Sequence, residues 1–282
     1  MEQLQPKHSP TYAMGHAEDE LDRLINQARF FGDLTEHVLR LAGLARGMRV
    51  LDVGCGPGDV MFLAARLVGP EGTVIGVDKS PEAIGVARNR AEVAGLTNVQ
   101  FLTQDFTELV LDELVDALIG RLVLQYLADP VLVLSRLATF VKPGGVVAFQ
   151  EGFLEDKAYS EPVCQVYETG LQRIMETFAR IGADPRTGRR LAQIFQAADL
   201  PAPQMILHSR VERGPDSPIY DVAAQLTRTM LPLMQRTGVA TPEEVGIETL
   251  ASRIRAEAVA LNATLIFPAL IGVWTRKPLT NQ

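Results

Sequence analysis

The segment at residues 50–59, Val-Leu-Asp-Val-Gly-Cys-Gly-Pro-Gly-Asp, constrains the fold more than any other part of the chain. An apolar run that carries one acid leads directly into three glycines spaced two residues apart, Gly54, Gly56 and Gly58. Such a run, ended by such a turn, is typical of a buried strand in a parallel sheet. Glycine permits positive φ angles and has no Cβ, so we expect the turn to bring its backbone close to another group.

The spacing and the charge of this turn indicate which ligand it can approach. Dinucleotide-binding sites carry the pattern Gly-x-Gly-x-x-Gly, whereas this chain reads Gly-x-Gly-x-Gly. Pro57 has no N–H group to donate to a phosphate. Asp52 and Asp59 flank the turn with negative charge, which disfavours an anion. The turn therefore favours a cationic or zwitterionic ligand.

Residues 51–58 resemble the first motif of the class I S-adenosylmethionine-dependent methyltransferases. The cofactor of that family carries a sulfonium and an ammonium group and no phosphate, in agreement with the charge of the turn. The resemblance implies S-adenosyl-L-methionine as cofactor and methyl transfer as the reaction. The fold it implies is α/β, a Rossmann-like doubly wound seven-stranded sheet whose last strand is antiparallel, and the helical pattern after residue 152 adds a helical lid.

Further strands follow in the order of that fold. The second is predicted at 73–78, the third at 98–105, the fourth at 115–120 and the fifth at 146–151. Ser80 and Pro81 open the helix after the second strand as N-cap and first-turn proline. The Lys-Pro-Gly-Gly turn before the fifth strand also resembles the family pattern. Alternating strands and helices predict a parallel sheet with right-handed crossovers.

The cofactor would be bound at the tips of these strands. An acid at the tip of the second strand, Asp78, can accept hydrogen bonds from both hydroxyls of a ribose. The resemblance implies that Asp105 binds the adenine amino group. An arginine on the first helix or after the fourth strand could bind the carboxylate. The predicted cofactor-binding residues are Asp52, Gly54, Gly56, Gly58, Asp78, Lys79, Gln104, Asp105, Phe106 (along the adenine ring), Gly120, Arg121 and Arg23.

Composition excludes several other classes of protein. The net charge is −7, from 27 Lys and Arg against 34 Asp and Glu, which disfavours a nucleic-acid partner. Cys55 and Cys164 give neither a disulfide framework nor the spacing of metal ligands, so we expect no metal. No apolar run has the length of a signal-peptide core or a membrane span. We expect a soluble cytoplasmic protein with a small-molecule methyl acceptor and no membrane partner. The sequence does not determine the oligomeric state, and a homodimer is one possibility.

The chain divides into four predicted parts. Residues 1–45 form an N-terminal helical cover of two helices, from Glu18 and from Asp33, and residues 46–152 the cofactor-binding core. Residues 153–262 form a helical substrate lid, and residues 263–282 the final core strand and tail. The lid is predicted to hold strand six near 203–212 and helices at 159–181, 186–198, 217–235 and 242–262. A roof of helices over the strand tips encloses an apolar pocket, which suits a small molecule.

Methyl transfer needs an aligned nucleophile, exclusion of water and, for a hydroxyl or ammonium acceptor, removal of a proton. Glu151, at the predicted carboxyl end of the fifth strand, is expected to face the pocket as a base or polar anchor. Tyr126 is expected at the start of the helix after the fourth strand, where the resemblance to the methyltransferase family implies a histidine in many members. Tyr12 and His16, before the first helix, could fold over the cofactor. These four are the predicted catalytic residues.

Two other functions stay open beside the leading one. The leading prediction is a methyltransferase that acts on oxygen, nitrogen or carbon of a small, partly apolar metabolite. A protein with the same fold and cofactor could instead catalyse another transformation or serve as a scaffold. An NAD-linked oxidoreductase is disfavoured by the glycine spacing.

Overall fold

The computed structural model describes residues 18–154, 159–184 and 186–279, with side chains from Phe30 onward. The strands, in chain order, are β1 (Arg49–Val53), β2 (Thr73–Asp78), β3 (Val99–Thr103), β4 (Val115–Arg121), β5 (Val141–Phe153), β6 (Ser160–Glu161), β7 (Gln204–His208), β8 (Val211–Glu212), β9 (Thr264–Ile266) and β10 (Ala269–Arg276). The helices are α1 (Glu18–Ala42), α2 (Asp59–Val68), α3 (Pro81–Val93), α4 (Pro130–Ala138), α5 (Gln165–Arg180), α6 (Thr187–Ala197), α7 (Ile219–Thr237), α8 (Pro242–Val245) and α9 (Leu250–Leu261), with 3₁₀ turns at Leu124–Tyr126 and Ile247–Thr249.

Across the described residues, one sheet of seven strands runs in the order β3-β2-β1-β4-β5-β10-β7. Its first five strands are parallel, and β10 is antiparallel to both β5 and β7. The predicted mixed Rossmann-like sheet is confirmed. The chain moves outward from β1 to β3 and then returns to place β4 beside β1, so the strand order reverses between these two strands. Open α/β sheets bind ligands at the carboxyl ends of the strands at such a reversal.

Helices cover both faces of the sheet, and this explains why the central strands are apolar throughout. On one face, α1, α2 and α3 pack against side chains such as Val50, Ile119 and Trp274. On the other face, α4 and α6 pack against side chains such as Leu51 and Val147. A strand buried on both sides reads as a continuous apolar run rather than an alternating one. Asp52 stands out in β1 because it is buried in such a run.

A third core lies above the carboxyl ends of the strands. We call its helices, α5, α7, α8 and α9, the roof. They bury Tyr167, Ile174, Met230 and Ile254 together with Phe31 from α1. A small antiparallel sheet has the strand order β6-β9-β8, and its strand β9 connects α9 to β10 along the chain. Among the described residues, no helix is both long and apolar enough to span a membrane.

The structure corrects the boundaries of several predicted helices. The two N-terminal helices are one helix, α1, which continues through Gly32 because a glycine inside a helix costs only about 1 kcal/mol. The long helix predicted from residue 159 begins only at Gln165, since Ser160 and Glu161 pair with β9. The last predicted helix is divided at Gly246, whose φ of 58° ends α8. Gln125 and Tyr126 lie in a 3₁₀ turn, and α4 begins four residues later at Pro130.

One carboxylate links two helices of the roof. Glu257 on α9 accepts hydrogen bonds from the backbone N–H groups of Gln165 (3.0 Å) and Val166 (2.8 Å), the first residues of α5. The Cys164 thiol lies 3.2 Å from the same carboxylate. Burial raises the pKa of Glu257, but the hydrogen bonds from these donors lower it by more than burial raises it. The pKa of Glu257 therefore lies below its usual value of 4.5. Glu257 thus satisfies N–H groups that a helix leaves unpaired at its first turn.

We expect Glu257→Ala to lower the free energy of unfolding by about 1–2 kcal/mol, the usual effect of losing a helix cap. Because the folded-state pKa is lowered, this contribution is complete above the unfolded-state value and is lost as the pH falls below it. Urea unfolding at pH 7 and at pH 4 measures both effects. Glu248→Ala is the control, since Glu248 pairs with Arg228 at the surface of the same roof and exposed pairs contribute little. Equal losses in the two variants would contradict the capping role.

Candidate functional site

A cavity of about 300 Å³ opens at the carboxyl ends of β1, β2, β4 and β5. This volume lies at the lower end of the range for small-molecule sites. The floor comes from the strand tips and the turns that follow them, and the ceiling from α1, α5, α7 and the segment between β9 and β10. The polar lining residues are Asp52, Asp59, Asp78, Lys79, Asp105, Thr107, Arg121, Gln125 and Tyr126, and the large apolar ones include Phe31, Phe106, Phe153, Phe178, Leu226 and Phe267.

The glycine turn adopts a conformation that only glycine tolerates well. Gly54, Gly56 and Gly58 have φ angles of 64°, 52° and 93°. A Cβ built on Gly54 would lie 2.8 Å from a methyl group of Val123, so the turn after β1 packs directly against the turn after β4. Gly54 and Gly56 line the cavity, whereas Gly58 is the N-cap of α2 and lies against the Phe62 ring.

Asp52 is a buried acid with unused hydrogen-bonding capacity at this turn. Within the described part of the chain, its Oδ2 atom has no hydrogen-bond partner. Burial raises the pKa of Asp52 to about 8; the nearby Arg121 opposes the shift, and Asp78 and Asp59 add to it. A buried acid in this condition is stabilised by any cation that enters the cavity. The charge of the site thus matches the cationic ligand expected from the sequence.

Asp78 joins the tip of β2 to the glycine turn. Its Oδ2 accepts the Gly56 N–H at 2.9 Å, and its Oδ1 accepts the Ser80 N–H at 2.9 Å. Each carboxylate oxygen can accept a second hydrogen bond, so both remain able to receive ligand hydroxyls. Lys79 follows Asp78 and also lines the cavity.

The predicted residues after β3 fall into two groups. Asp105 and Phe106 line the cavity, and Asp105 accepts hydrogen bonds from the N–H group and hydroxyl of Thr107 at 2.9 and 2.7 Å. The Gln104 side chain is exposed, does not line the cavity and donates to the Glu108 carbonyl at 3.4 Å. The placement expected for Gln104 is therefore corrected: it is the first residue after β3, and its exposed side chain bonds to a neighbouring carbonyl group instead of lining the cavity.

A polar chain connects α1 to the cavity through Arg121. The guanidinium of Arg121 donates to the Thr35 hydroxyl at 3.0 Å, and this hydroxyl donates to Gln150 Oε1 at 2.8 Å. Sequence reasoning missed Thr35, although a polar residue in the apolar stripe of a helix is a signal of such a role. Gly120, the residue before Arg121, does not line the cavity, because its missing side chain makes room for Phe149 and Val53.

The expected placement of Glu151 is also corrected. Strand β5 continues two residues past Glu151, so Phe153 reaches the cavity and Glu151 lies one step below it. The Glu151 side chain is fully buried beneath the turn after β4, where it accepts backbone N–H groups from Val123 (2.9 Å), Leu124 (2.8 Å) and Gln125 (3.4 Å). Burial raises the pKa of Glu151 to about 7, and these three donors act against the increase.

Three other predicted residues lie outside the described side chains. Tyr12 and His16 precede the described residues, and Arg23 belongs to the part of α1 for which only the backbone is described. Tyr126, in contrast, lines the cavity and is half-buried against the roof core. In the described ranges, no group of three or more His, Cys, Asp or Glu side chains could share a metal ion.

The apolar ceiling was not predicted residue by residue. Leu171, Ile174 and Phe178 come from one face of α5, Leu226 from α7, and Phe267 from the segment before β10. Their helical spacing shows that these side chains are buried but not that they surround a cavity. Only the crossing of the roof helices turns these faces into a ceiling.

Comparison with known proteins agrees with this fold. A family model described as a methyltransferase domain matches residues 44–198. Aklanonic acid methyltransferase of Streptomyces sp. (strain C5) is 33% identical over 144 residues, which cover 51% of this chain and 64% of that protein. Demethylmenaquinone methyltransferase of Listeria monocytogenes serotype 4b is 27% identical over 186 residues, which cover 62% of this chain and 78% of that protein.

A solved structure extends the similarity beyond the matched domain. Phosphoethanolamine N-methyltransferase 2 of Haemonchus contortus, in complex with S-adenosyl-L-methionine, superposes with a TM-score of 0.51 at 19% identity. The match covers 87% of this chain and 52% of that chain, and at this identity it shows the fold alone. The chain spans between 28% and 64% of the length of the first three curated relatives that it matches.

The raised pKa of Asp52 leads to a test by unfolding. Since the folded-state pKa, about 8, exceeds the unfolded value, the stability of the folded protein falls as the pH rises between these values. As the pH rises, we expect the free energy of unfolding of the Asp52→Asn variant to increase relative to that of the wild type, by up to about 1.4 kcal/mol for each pH unit. Urea unfolding of both proteins from pH 5 to pH 8 gives this difference. If the difference between the two free energies of unfolding does not change with pH, the raised pKa of Asp52 is contradicted.

Proposed function

Because the chain belongs to the methyltransferase family, we propose that it is an S-adenosylmethionine-dependent enzyme that methylates a small, partly apolar acceptor enclosed beneath the roof. One observation carries the proposal: a single cavity joins an acid-rich glycine turn to an apolar, aromatic ceiling. The first half of this cavity suits a cationic cofactor, and the second suits an apolar acceptor. Both partners of the reaction would thus meet within one enclosed space.

The residues around the glycine turn fit the cofactor group by group. The unpartnered oxygen of Asp52 would face its positive charge, and Arg121, held by Thr35, would bind its carboxylate. Asp78 would accept the ribose hydroxyls. The absence of a side chain at Gly54 and Gly56 lets the backbone approach the ligand.

The tip of β3 fits the base at the other end of the cofactor. Asp105 and Phe106 both line the cavity there. We assign Asp105 to the adenine amino group and Phe106 to the face of the ring. When bound, S-adenosylmethionine supplies an electrophilic methyl group on a sulfonium ion.

The contribution of the protein would be mainly alignment and exclusion of water. Leu171, Ile174, Phe178 and Leu226 close the acceptor side of the cavity with apolar surface. Gln125 and Tyr126 are the polar side chains that the turn after β4 presents to the cavity and would orient the acceptor. Holding two reactants in register supplies a large part of the rate increase in such a displacement.

Cofactor binding tests the first half of the proposal. We expect Asp78→Ala to weaken binding of S-adenosylmethionine by about 1–3 kcal/mol, since buried hydroxyls would lose their acceptor. Calorimetry measures this change. Asp116→Ala is the matched control, because Asp116 also accepts a backbone N–H, from Arg49 at 2.8 Å, but lies outside the cavity lining. If the wild type binds NAD and ignores S-adenosylmethionine, the proposed function fails.

Methyl labelling tests the second half. With tritiated S-adenosylmethionine and a metabolite extract, we expect label in a small-molecule product rather than in macromolecules. Leu226→Ala removes part of the ceiling, and we expect this variant to need several-fold more extract for half-maximal labelling. Contact with a buried leucine side chain contributes up to about 2 kcal/mol, and part of this would be lost from acceptor binding. Leu231→Ala on the same helix does not line the cavity and serves as control. Labelling of macromolecules alone excludes an enclosed small-molecule site.

A further inference from the structure

The turn after β4 is the wall that the two halves of the cavity share. Leu122, Val123, Gln125, Tyr126 and Leu127 all line the cavity. Leu122 has a φ of 56°, in the left-handed region that leucine rarely adopts. A residue held in this region needs support from its surroundings. The turn therefore depends on contacts outside itself.

The backbone N–H groups of the turn show where this support comes from. Leu122 donates to the Gln150 carbonyl (2.8 Å), Tyr126 to the Val123 carbonyl (3.2 Å) and Leu127 to the Leu124 carbonyl (3.2 Å). The N–H groups of the three residues between them, 123 to 125, all point to the Glu151 carboxylate. One side chain thus supplies the acceptor for every N–H group of the turn that the backbone leaves unpaired.

Glu151 is fully buried. The residue shares one face of β5 with Phe149, which packs edge to face on Phe195 of α6. Gly188, in the first turn of α6, lies so close that a Cβ there would be 3.2 Å from the Glu151 carbonyl oxygen. Glu151 does not line the cavity. A base must come within hydrogen-bond reach of the proton it removes, and this carboxylate is directed elsewhere.

The turn after β4, held by Glu151, packs in turn against the glycine turn after β1. The Val123 N–H is bonded to Glu151 Oε1, and the Val123 side chain fills the space that a Cβ on Gly54 would occupy. Gln125 and Tyr126, two and three residues later, face the acceptor half of the cavity. We propose that Glu151 is a positioning residue, which fixes the turn after β4 so that its two sides fit the cofactor and the acceptor together. The inference deepens the proposed function and rests on it for the ligand used below.

Two conservative variants distinguish the effect of side-chain length at position 151 from the effect of charge. Glu151→Gln keeps an oxygen at the position of Oε1, which accepts the two shorter hydrogen bonds, and has no charge. Glu151→Asp keeps the charge but withdraws the carboxylate by one methylene group. If the residue positions the turn, glutamine preserves its geometry and aspartate does not.

Amide hydrogen exchange measured by mass spectrometry reports the turn directly. We expect peptides that cover residues 121–127 to exchange about tenfold faster or more in Glu151→Asp, because local opening becomes easier, and within about twofold of the wild type in Glu151→Gln. Calorimetry with S-adenosylhomocysteine should follow the same order, with a dissociation constant raised about five- to tenfold in the aspartate variant only. Glu257→Ala is the matched control, since it removes a carboxylate from other backbone N–H groups, and should change neither quantity.

A further variant isolates the contact with the glycine turn. Val123→Ala keeps the three hydrogen bonds of Glu151 and removes methyl groups from Gly54. We expect weaker binding of S-adenosylhomocysteine with unchanged exchange at residues 121–127. This measurement decides the second step of the inference even if the aspartate variant does not fold.

The possible outcomes distinguish the inference from the function on which it rests. Unchanged exchange in Glu151→Asp, or faster exchange in Glu151→Gln, overturns the positioning role. A Glu151→Gln variant that binds S-adenosylhomocysteine normally but loses methyl labelling about a hundredfold or more identifies Glu151 as a base and also overturns it. A wild-type protein that does not bind S-adenosylhomocysteine contradicts the proposed function, while the exchange data still test the support of the turn.

Discussion

The contact between Gly54 and Val123 is the constraint on which the rest of the site depends. Strands β1 and β4 are neighbours at the point where the strand order reverses, so the turns that follow them must occupy the same space. Only a residue without a Cβ can leave Val123 in place. The glycine turn and the turn after β4 therefore meet at one van der Waals contact. Hydrogen bonds to Asp78 hold the glycine turn, and hydrogen bonds to Glu151 hold the turn after β4.

The distribution of charge divides the cavity in the same way. The acids Asp52, Asp59 and Asp78 surround the glycine turn, and Arg90 pairs with Asp59 at 2.7 Å on its outer side. The Oδ2 atom of Asp52 has no hydrogen-bond partner among the described residues. Acids held close together at a buried site repel one another, and a positively charged ligand would relieve this repulsion. Among the described side chains, the ceiling contributes apolar residues to the cavity lining, and the charged lining residues come from the strand tips and the turns after them.

Local signals in the sequence were sufficient for the sheet and for several residues that line the floor of the cavity. Glycine spacing, acids at strand tips and a proline-containing helix start report on residues close in the chain, and these signals placed Gly54, Asp78 and Asp105 at the cavity. They were insufficient where the end of a strand mattered. Strand β5 extends two residues past its predicted end, and this difference moves the Glu151 side chain from the cavity to the underside of a turn.

A different cause explains why the residues of the ceiling could not be predicted. Its residues come from α1, α5, α7 and the segment before β10, which are distant in sequence, and their apolar spacing is equally compatible with a solid core. Thr35 illustrates the same difficulty for a polar residue, since its partners Gln150 and Arg121 lie about a hundred residues away. Contacts of this kind are set by how helices cross, and a single sequence contains little information on those angles.

The position of α7 to α9 within the chain has an evolutionary consequence. The polypeptide leaves the large sheet at His208 and returns at Ala269, and His208 pairs with Leu270. Everything between these points is, in topological terms, the connection of an antiparallel hairpin. Long insertions into such a connection cost little closure entropy and leave the register of the strands intact. Of the ceiling residues, Leu226 and Phe267 lie in this connection. Descendants of this chain can therefore change that part of the ceiling without disturbing the glycine turn, which lies outside the connection.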